Sequence, residues 1–363
     1  MDNKKKIIIG IVAAIVVIIV GVIIWYNVSL SPVKKNELAT EEGLVRVEIP
    51  DGYGINKISK LLEEKGVIKS NLALKLYIRM SGKTSLKAGK YDFNINESAK
   101  QIIDHVVKGE VAKDEVKITF VEGKNMRSIA KTIASKTNNT EEDVFNLLKD
   151  EEYIDSLIEK YWFLTDEIED ERIYYPLEGY LLPDTYIFEN KEVDVKTIFN
   201  IILNYTDKYL SKYKDTVEQS DLTMHQVLTL ASMAELEGKT LEDREEIIGV
   251  FFNRLDKGMT LGSDVTTYYA FKVDMGDRNL TKKEIATDNP YNTRVSSMAG
   301  KIPIGPICNP SKEAIEATFN WKETDAYYFV ADKNGKVYFT RNNDEHLKMI
   351  KKLKDEDLWF VYK

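Results

Sequence analysis

The chain of 363 residues holds a single cysteine and three histidines. Cys308 has no intrachain partner, so no disulfide framework supports this fold and stability must come from core packing. Set among prolines with no base nearby, it reads as a small buried hydrophobe rather than a nucleophile. His105, His225 and His346 are far apart and form no HExxH or comparable spacing, so no metal site is expected. His346, in the segment NDEH, reads as a capping or surface residue before it reads as a site residue. A G-x-S-x-G elbow, a P-loop and a dinucleotide fingerprint are all missing, which removes support for serine hydrolase, nucleotide and hydride chemistry; no cofactor is expected. Excess positive charge is missing too. The net charge is −8, and the residues ahead of Ile7 contribute +2, leaving −10 for the remainder. An acidic body argues against nucleic acid as a partner.

What is present begins with an unbroken apolar run, Ile7 to Tyr26, long enough to cross a bilayer as one helix. Lys4, Lys5 and Lys6 precede it, so the N-terminus is expected in the cytoplasm and the rest outside. The run exceeds the usual h-region, and no small-x-small cleavage site follows before Ser29, so an uncleaved anchor is expected. Residues 1–6 then form a cytoplasmic tail, 7–26 the transmembrane helix and 27–44 a linker without apolar periodicity.

An internal repeat follows. Arg46 to Leu62 (RVEIPDGYGINKISKLL) matches Lys117 to Ile133 (KITFVEGKNMRSIAKTI) at an offset of 71. Each copy reads as an alternating strand, an acidic-Gly turn (Asp51-Gly52, Glu122-Gly123) and an amphipathic helix with Ile55, Ile58, Leu62 or Met126, Ile129, Ile133 on one face. Between the copies lie a helix-like stretch from Asn71 to Met80 and a strand-like one from Gly89 to Phe93. These copies seed two small modules, residues 45–112 and 113–168, which serve as spacers or else bind glycan or place the catalytic unit.

The texture changes in YYPLEGYLLPDTYIF (Tyr174 to Phe188), too irregular for a helix. Residues 169–363 are assigned to a third domain. Within it, Met224 to Gly238 predicts a helix whose apolar stripe, Val227, Leu228, Leu230, Ala231 and Ala234, also carries Glu235. Desolvation and the negative helix end would both raise the pKa of a carboxylate there, as a general acid requires. Periodicity alone equally permits a solvated Glu beyond a stripe that has ended. Thr240 and Asp243 predict a capping box for the next helix, and Asn334-Gly335 a hairpin turn between two strands. With metal and nucleophile motifs missing, carboxylate chemistry remains. Glu178, Asp184, Glu235, Glu237 and Asp264 are its candidates, and Tyr180, Tyr186, Tyr268, Tyr291, Asn253 and Asn292 could stack on or hydrogen-bond sugars.

Several segments together resemble the endolytic murein transglycosylases, the MltG or YceG-like family. They are VEGKNMRSIA, LEGYLLPDTYIF, ASMAELEG, VFFNRLDKGMTLGSD, NPYNTR, IPIGPICNPS and YYFVADKNGKVYFT followed by EH. Their order and spacing, more than any one of them, carry the resemblance. The chain departs from the family at Asp264-Val265-Thr266, where D-P-T is common, and at Pro303-Ile304-Gly305, where a double Pro is common. The resemblance implies an α+β protein: one transmembrane helix, two small LysM-like modules, then a mainly helical catalytic domain with long loops and a short β-hairpin. It implies a lyase that breaks the MurNAc–GlcNAc bond of nascent strands and leaves 1,6-anhydro-MurNAc ends. Glu235 would be the acid, then the base. Glu237 lies about 200° around the helix from it, and is read as a supporter. Glu178 and Asp264 would line or support the cleft. Tyr291, Asn292 and Thr293 would contact saccharide or scaffold the loop, with Asn253 and Arg254 supporting the wall. Peptidoglycan strands, the membrane and peptidoglycan synthases of the elongation or division machinery are the implied partners. Two other readings stand beside it: a non-catalytic wall-binding scaffold, and a hydrolase with two carboxyls roughly 5 to 9.5 Å apart.

Overall fold

The computed structural model describes residues 3–112 and 115–359, with side chains from residue 11 onward. The lysines expected to hold the N-terminus in the cytoplasm therefore lie outside the described side chains, as does the expected module boundary at 112/113. The chain divides into two compact units, residues 1–114 and 115–363.

The first unit opens with a long helix, α1 (Asn3–Leu30). Its stretch Ile11–Leu30 has a mean hydropathy of 2.8 and its apolar side chains are largely unburied, so it is long and apolar enough to cross a membrane. The helix runs four residues beyond the apolar run, and Leu30 at its end packs into the unit's core. Then come β1 (Leu44–Ile49), α2 (Ile55–Glu64), α3 (Asn71–Ser81), β2 (Gly89–Asn94) and α4 (Ala99–Lys108). The two strands pair antiparallel, Leu44 opposite Asn94 and Ile49 opposite Gly89. Alternation sends Val45, Val47 and Ile49 inward onto Ile58, Leu62, Leu74 and Ile103, while Arg46 and Asp92 pair across the outer face at 2.7 Å.

The second unit begins with β3 (Val116–Thr119) and α5 (Met126–Lys136), so both repeat copies form the expected strand and helix. After α6 (Glu141–Leu147) and α7 (Glu151–Lys160), residues 174–184 run without a helix into β4 (Thr185–Phe188). β4 pairs antiparallel with β3, Val116 opposite Phe188. Residues on both sides of the expected division at 168/169 thus share one core, with Ile118, Ile129, Tyr180 and Phe199 all in it.

Next are α8 (Val195–Leu210), α9 (Lys214–Glu218), α10 (Met224–Glu237) and α11 (Leu241–Asp256), then α12 (Asp264–Ala270), α13 (Lys282–Ala286) and α14 (Lys312–Phe319). The hairpin of β5 (Tyr328–Ala331) and β6 (Val337–Thr340), paired at Tyr328 and Thr340, precedes α15 (Asn343–Asp355). The Thr240–Asp243 capping box forms as its spacing predicts, and Thr223 with Gln226 makes another at the start of α10.

One expectation needs correction. α10 carries apolar residues on more than one face: every residue from Met224 to Ala234 except Gln226 is buried. Met224, Val227, Leu228 and Ala231 pack into the core shared with β3 and β4. Leu230, Met233 and Ala234 pack into a second core with Ile247, Phe251 and Tyr291. Each set has its own helical spacing, so α10 is a wall between two cores.

Candidate active site

α10 reaches this site with its last turn. Gly238 ends the helix in an extended conformation (φ −113°), so its role is space rather than left-handed capping. A Cβ there would lie 2.9 Å from the Arg244 Cγ and 3.1 Å from the Ile247 Cδ1. That absence of a side chain lets α11 close onto the end of α10 and brings Arg244 to Glu235.

Glu235 has three donors. Arg244 Nη2 donates to Oε1 at 2.9 Å, and the Ser311 amide donates to Oε2 at 3.0 Å together with the Ser311 hydroxyl. The carboxylate side chain is 8% exposed and its guanidinium partner 12%. Ser311 is the N-cap of α14, accepting from the Ala314 amide at 3.1 Å. Glu235 therefore ties the ends of α10, α11 and α14 into one charged network. Nothing in the sequence pairs Arg244 or Ser311 with Glu235, although the NPS segment ahead of a helix signals a capping serine.

Among the described residues Glu237 has one donor, the Ser263 hydroxyl at 2.5 Å. Burial pushes its carboxyl up to about 7, reinforced by Asp264, with Ser263 and Arg294 opposing. It sits where two cavities meet. One, of about 610 Å³, also touches Glu235, Lys239, Tyr268 and Asp332. The other, of about 600 Å³, is lined by Arg254, Ser263, Arg294, Tyr328 and His346. Asp264 and Ala331 border both. The helical angle between Glu235 and Glu237 does not keep them on separate surfaces: both reach the first cavity.

Glu178 is 1% exposed and borders neither cavity. The Met126 amide, at the start of α5, donates to both its oxygens at 3.0 Å, the Tyr269 hydroxyl to Oε2 at 3.0 Å and Asn309 Nδ2 to Oε1 at 3.1 Å. Burial outweighs these donors and raises the carboxyl to about 7. Asn309, which the sequence did not mark individually, also accepts from the Gly179 and Leu181 amides and so holds residues 177–181 against the loop before α14.

Other expected site residues are scaffold. Tyr291, Asn292 and Thr293 are fully buried. Asn292 donates to the carbonyls of Glu284, Ile285 and Thr287, and Thr293 bonds Thr266 and Ser263. Tyr291 packs on Tyr174 and Tyr269, so all three side chains are engaged inside the protein rather than presented to a saccharide. Asn253 donates to the Thr324 and Ala326 carbonyls, fastening α11 to the chain ahead of β5. Tyr180 is buried against His225, its hydroxyl 2.7 Å from Nδ1. Asp184 is held below the usual carboxylate range by the Tyr205 hydroxyl and Lys312. Asp264, at the start of α12, pairs with Arg294 and is 61% exposed. Among the described residues no group of three or more His, Cys, Asp or Glu side chains is placed to hold a metal ion.

Residues 47–352 match the model of the YceG-like family. The chain belongs to this family. The endolytic murein transglycosylase of Bacillus subtilis (strain 168) is 34% identical over 332 residues, covering 91% of this chain and 89% of that protein. The endolytic murein transglycosylase of Streptococcus pneumoniae serotype 2 (strain D39) is 33% identical over 334 residues, 88% of this chain; the match spans 59% of the pneumococcal protein. The crystal structure of a YceG-like protein from Listeria monocytogenes aligns with a TM-score of 0.61 at 33% identity, over 85% of this chain and all of that one. In the YceG-like frame the recurring segments gather around α10. ASMAELEG contributes Glu235 and Glu237, TLGSD contributes Ser263 and Asp264, and CNPS contributes Asn309 and Ser311. At the departure Pro303-Ile304-Gly305, the Ile304 carbonyl lies 2.8 Å from His225 Nε2.

Proposed function

We propose that this chain is a membrane-anchored endolytic peptidoglycan lytic transglycosylase with Glu237 as its acid and base. The family and its relatives support the substrate and reaction class. The observation that carries the residue assignment is the position of Glu237 where two cavities meet, with its carboxyl held neutral by burial up to about 7. The sequence reading placed this role on Glu235. That carboxylate is committed to Arg244 and to both Ser311 donors, which supports an anchoring role for it.

In the proposed reaction Glu237 gives its proton to the GlcNAc O4 as the bond from MurNAc C1 breaks. The substrate's N-acetyl oxygen stabilises C1 as an oxazolinium-like species, so no carboxylate nucleophile is needed, as in substrate-assisted glycosidases. The Glu237 carboxylate then takes the proton from the MurNAc O6 as that oxygen bonds to C1. A 1,6-anhydro ring closes, and no water is consumed. One residue serves both steps because it is first the acid and then the base. α1 anchors the chain with its N-terminus in the cytoplasm and the enzyme outside, where it ends the growth of nascent strands beside peptidoglycan synthases.

The test is full-length protein in detergent with uncrosslinked glycan strands, products read by mass spectrometry. Anhydro-MurNAc ends from the wild type and from Glu235→Gln, but not from Glu237→Gln, are expected. Reducing ends without the anhydro form would leave a hydrolase.

A second reading is a wall-binding scaffold built on the repeat. The strand–helix–helix–strand order of residues 44–94 supports a LysM-like module there, with the second copy as its partner module. It predicts that Glu237→Gln leaves cellular function and glycan pull-down intact.

A further inference from the structure

The two cavities that meet at Glu237 differ in charge. In the cavity of about 600 Å³, Arg254 donates Nε to the Tyr327 carbonyl at 2.6 Å, and Nη1 to the Thr260 and Leu261 carbonyls at 3.1 and 3.0 Å. Its guanidinium carbon lies 4.8 Å from the Tyr328 ring centroid. All these partners are neutral, so among the described residues no carboxylate compensates the charge of Arg254. Arg294 gives Nη1 to the Gly262 carbonyl and to Asp264, leaving the rest of its fork unused. Burial and the neighbouring Arg254 push His346 down, so its imidazole is neutral, and its Nδ1 has no hydrogen-bond partner. With Glu237 protonated, two cations face one anion on this side. On the other side Lys239 stands against Asp332 and Asp264, while Lys333 is paired with Asp357 and Glu235 with Arg244, so no cation there is in excess. A positive pocket in a chain of net charge −8 calls for an anionic ligand group.

We infer that the Arg254–Arg294 side of the cleft is a subsite for a carboxylate carried by the muramoyl residue, and that the neutral GlcNAc lies on the other side of Glu237. This rests on the transglycosylase reading. The carboxylate has two sources, the free lactyl acid of a peptide-free strand or the acids of an attached stem peptide. Both offer two oxygens to a guanidinium fork.

Full-length protein in detergent is given three substrates: peptide-free strands, the same strands methyl-esterified, and peptide-bearing strands. Esterification is expected to raise KM tenfold or more with kcat little changed, the size of one lost charge-assisted contact. Arg294→Gln should raise KM similarly on the acid substrates and leave the ester unchanged, and Arg294→Lys should recover part of the loss. Circular dichroism checks the fold of each variant. A KM raised for the esterified strand but low for the peptide-bearing one assigns the contact to either acid in turn; a high KM for peptide-free strands in both forms assigns it to the peptide. Equal KM values for acid, ester and peptide-bearing strands, with Arg294→Gln shifting all three alike, overturn the subsite. Binding is measured in parallel by calorimetry. Tenfold preference for acid strands without cleavage would refute the transglycosylase reading and keep the subsite; cleavage with equal affinities would do the reverse.

Discussion

Replacing Glu235 and Glu237 separately by Gln divides stability from chemistry. Glu235→Gln removes the charge that faces Arg244 in a pair whose side chains are 8% and 12% exposed. Breaking a buried pair from one side costs about 3–5 kcal/mol. Gln has one acceptor oxygen, so it can keep the Ser311 donors only with its NH2 turned to the guanidinium, and about 3 kcal/mol is the expected loss. In a unit of this size each kcal/mol moves the melting temperature by about 2–4 °C, and a drop of about 6–12 °C should appear in circular dichroism melts. Strand cleavage below that temperature should persist. Glu237→Gln keeps an acceptor for Ser263 and removes an acid whose ionisation burial disfavours. Its melting temperature should stay within a few degrees of wild type. The lost proton transfer should cost about 10²–10⁴ in kcat, or about 3–5 kcal/mol of barrier. A dead Glu235→Gln with a native melt, beside an active Glu237→Gln, would refute this division and return catalysis to Glu235.

Because Glu237 acts first as an acid with its carboxyl raised to about 7, kcat/KM should be level below that pH and fall about tenfold per unit above it; a profile rising through pH 7 would make it a base in the first step. Glu178 is raised above its unfolded value, so the stability it contributes is full below pH about 4.5 and lost as pH rises through about 7, some 3 kcal/mol in all. Denaturant unfolding of Glu178→Gln should show a shallower fall over that window, and an unchanged slope would contradict the burial argument. Asn309→Ala leaves the Gly179 and Leu181 amides without their acceptor and takes one of several donors from Glu178, and a loss of about 2–3 kcal/mol is expected from the same measurement. Gly249→Ala would gain about 1 kcal/mol of helix propensity. However, its Cβ would sit 2.2 Å from the Lys322 carbonyl oxygen, so net destabilisation is expected, and a raised melting temperature would sink the close-approach reading.

Much of the local structure was legible because it depends on neighbours in sequence. The strand and helix of each repeat, the capping box at Thr240 and the hairpin at Asn334-Gly335 follow from period, cap and turn chemistry, which act within a few residues. The apolar N-terminal helix was legible from length and composition alone. The order of short segments carried the family.

The different surroundings of Glu235 and Glu237 were not legible. Helical spacing sets the angle between two side chains, but not what approaches either of them. Arg244 comes from the next helix and Ser311 from 76 residues away, and both donate to Glu235. Ser263, 26 residues from Glu237, offers it a single neutral donor. In the same way Tyr291, Asn292 and Thr293 have the composition of a sugar-contacting loop, yet the fold turns them inward to satisfy backbone groups. The chain by itself determined its local elements, an N-terminal helix long and apolar enough to cross a membrane, and its family. Only the tertiary structure decided which carboxyl is paired and which is left to hold a proton, because a carboxyl's charge state depends on groups brought close in space.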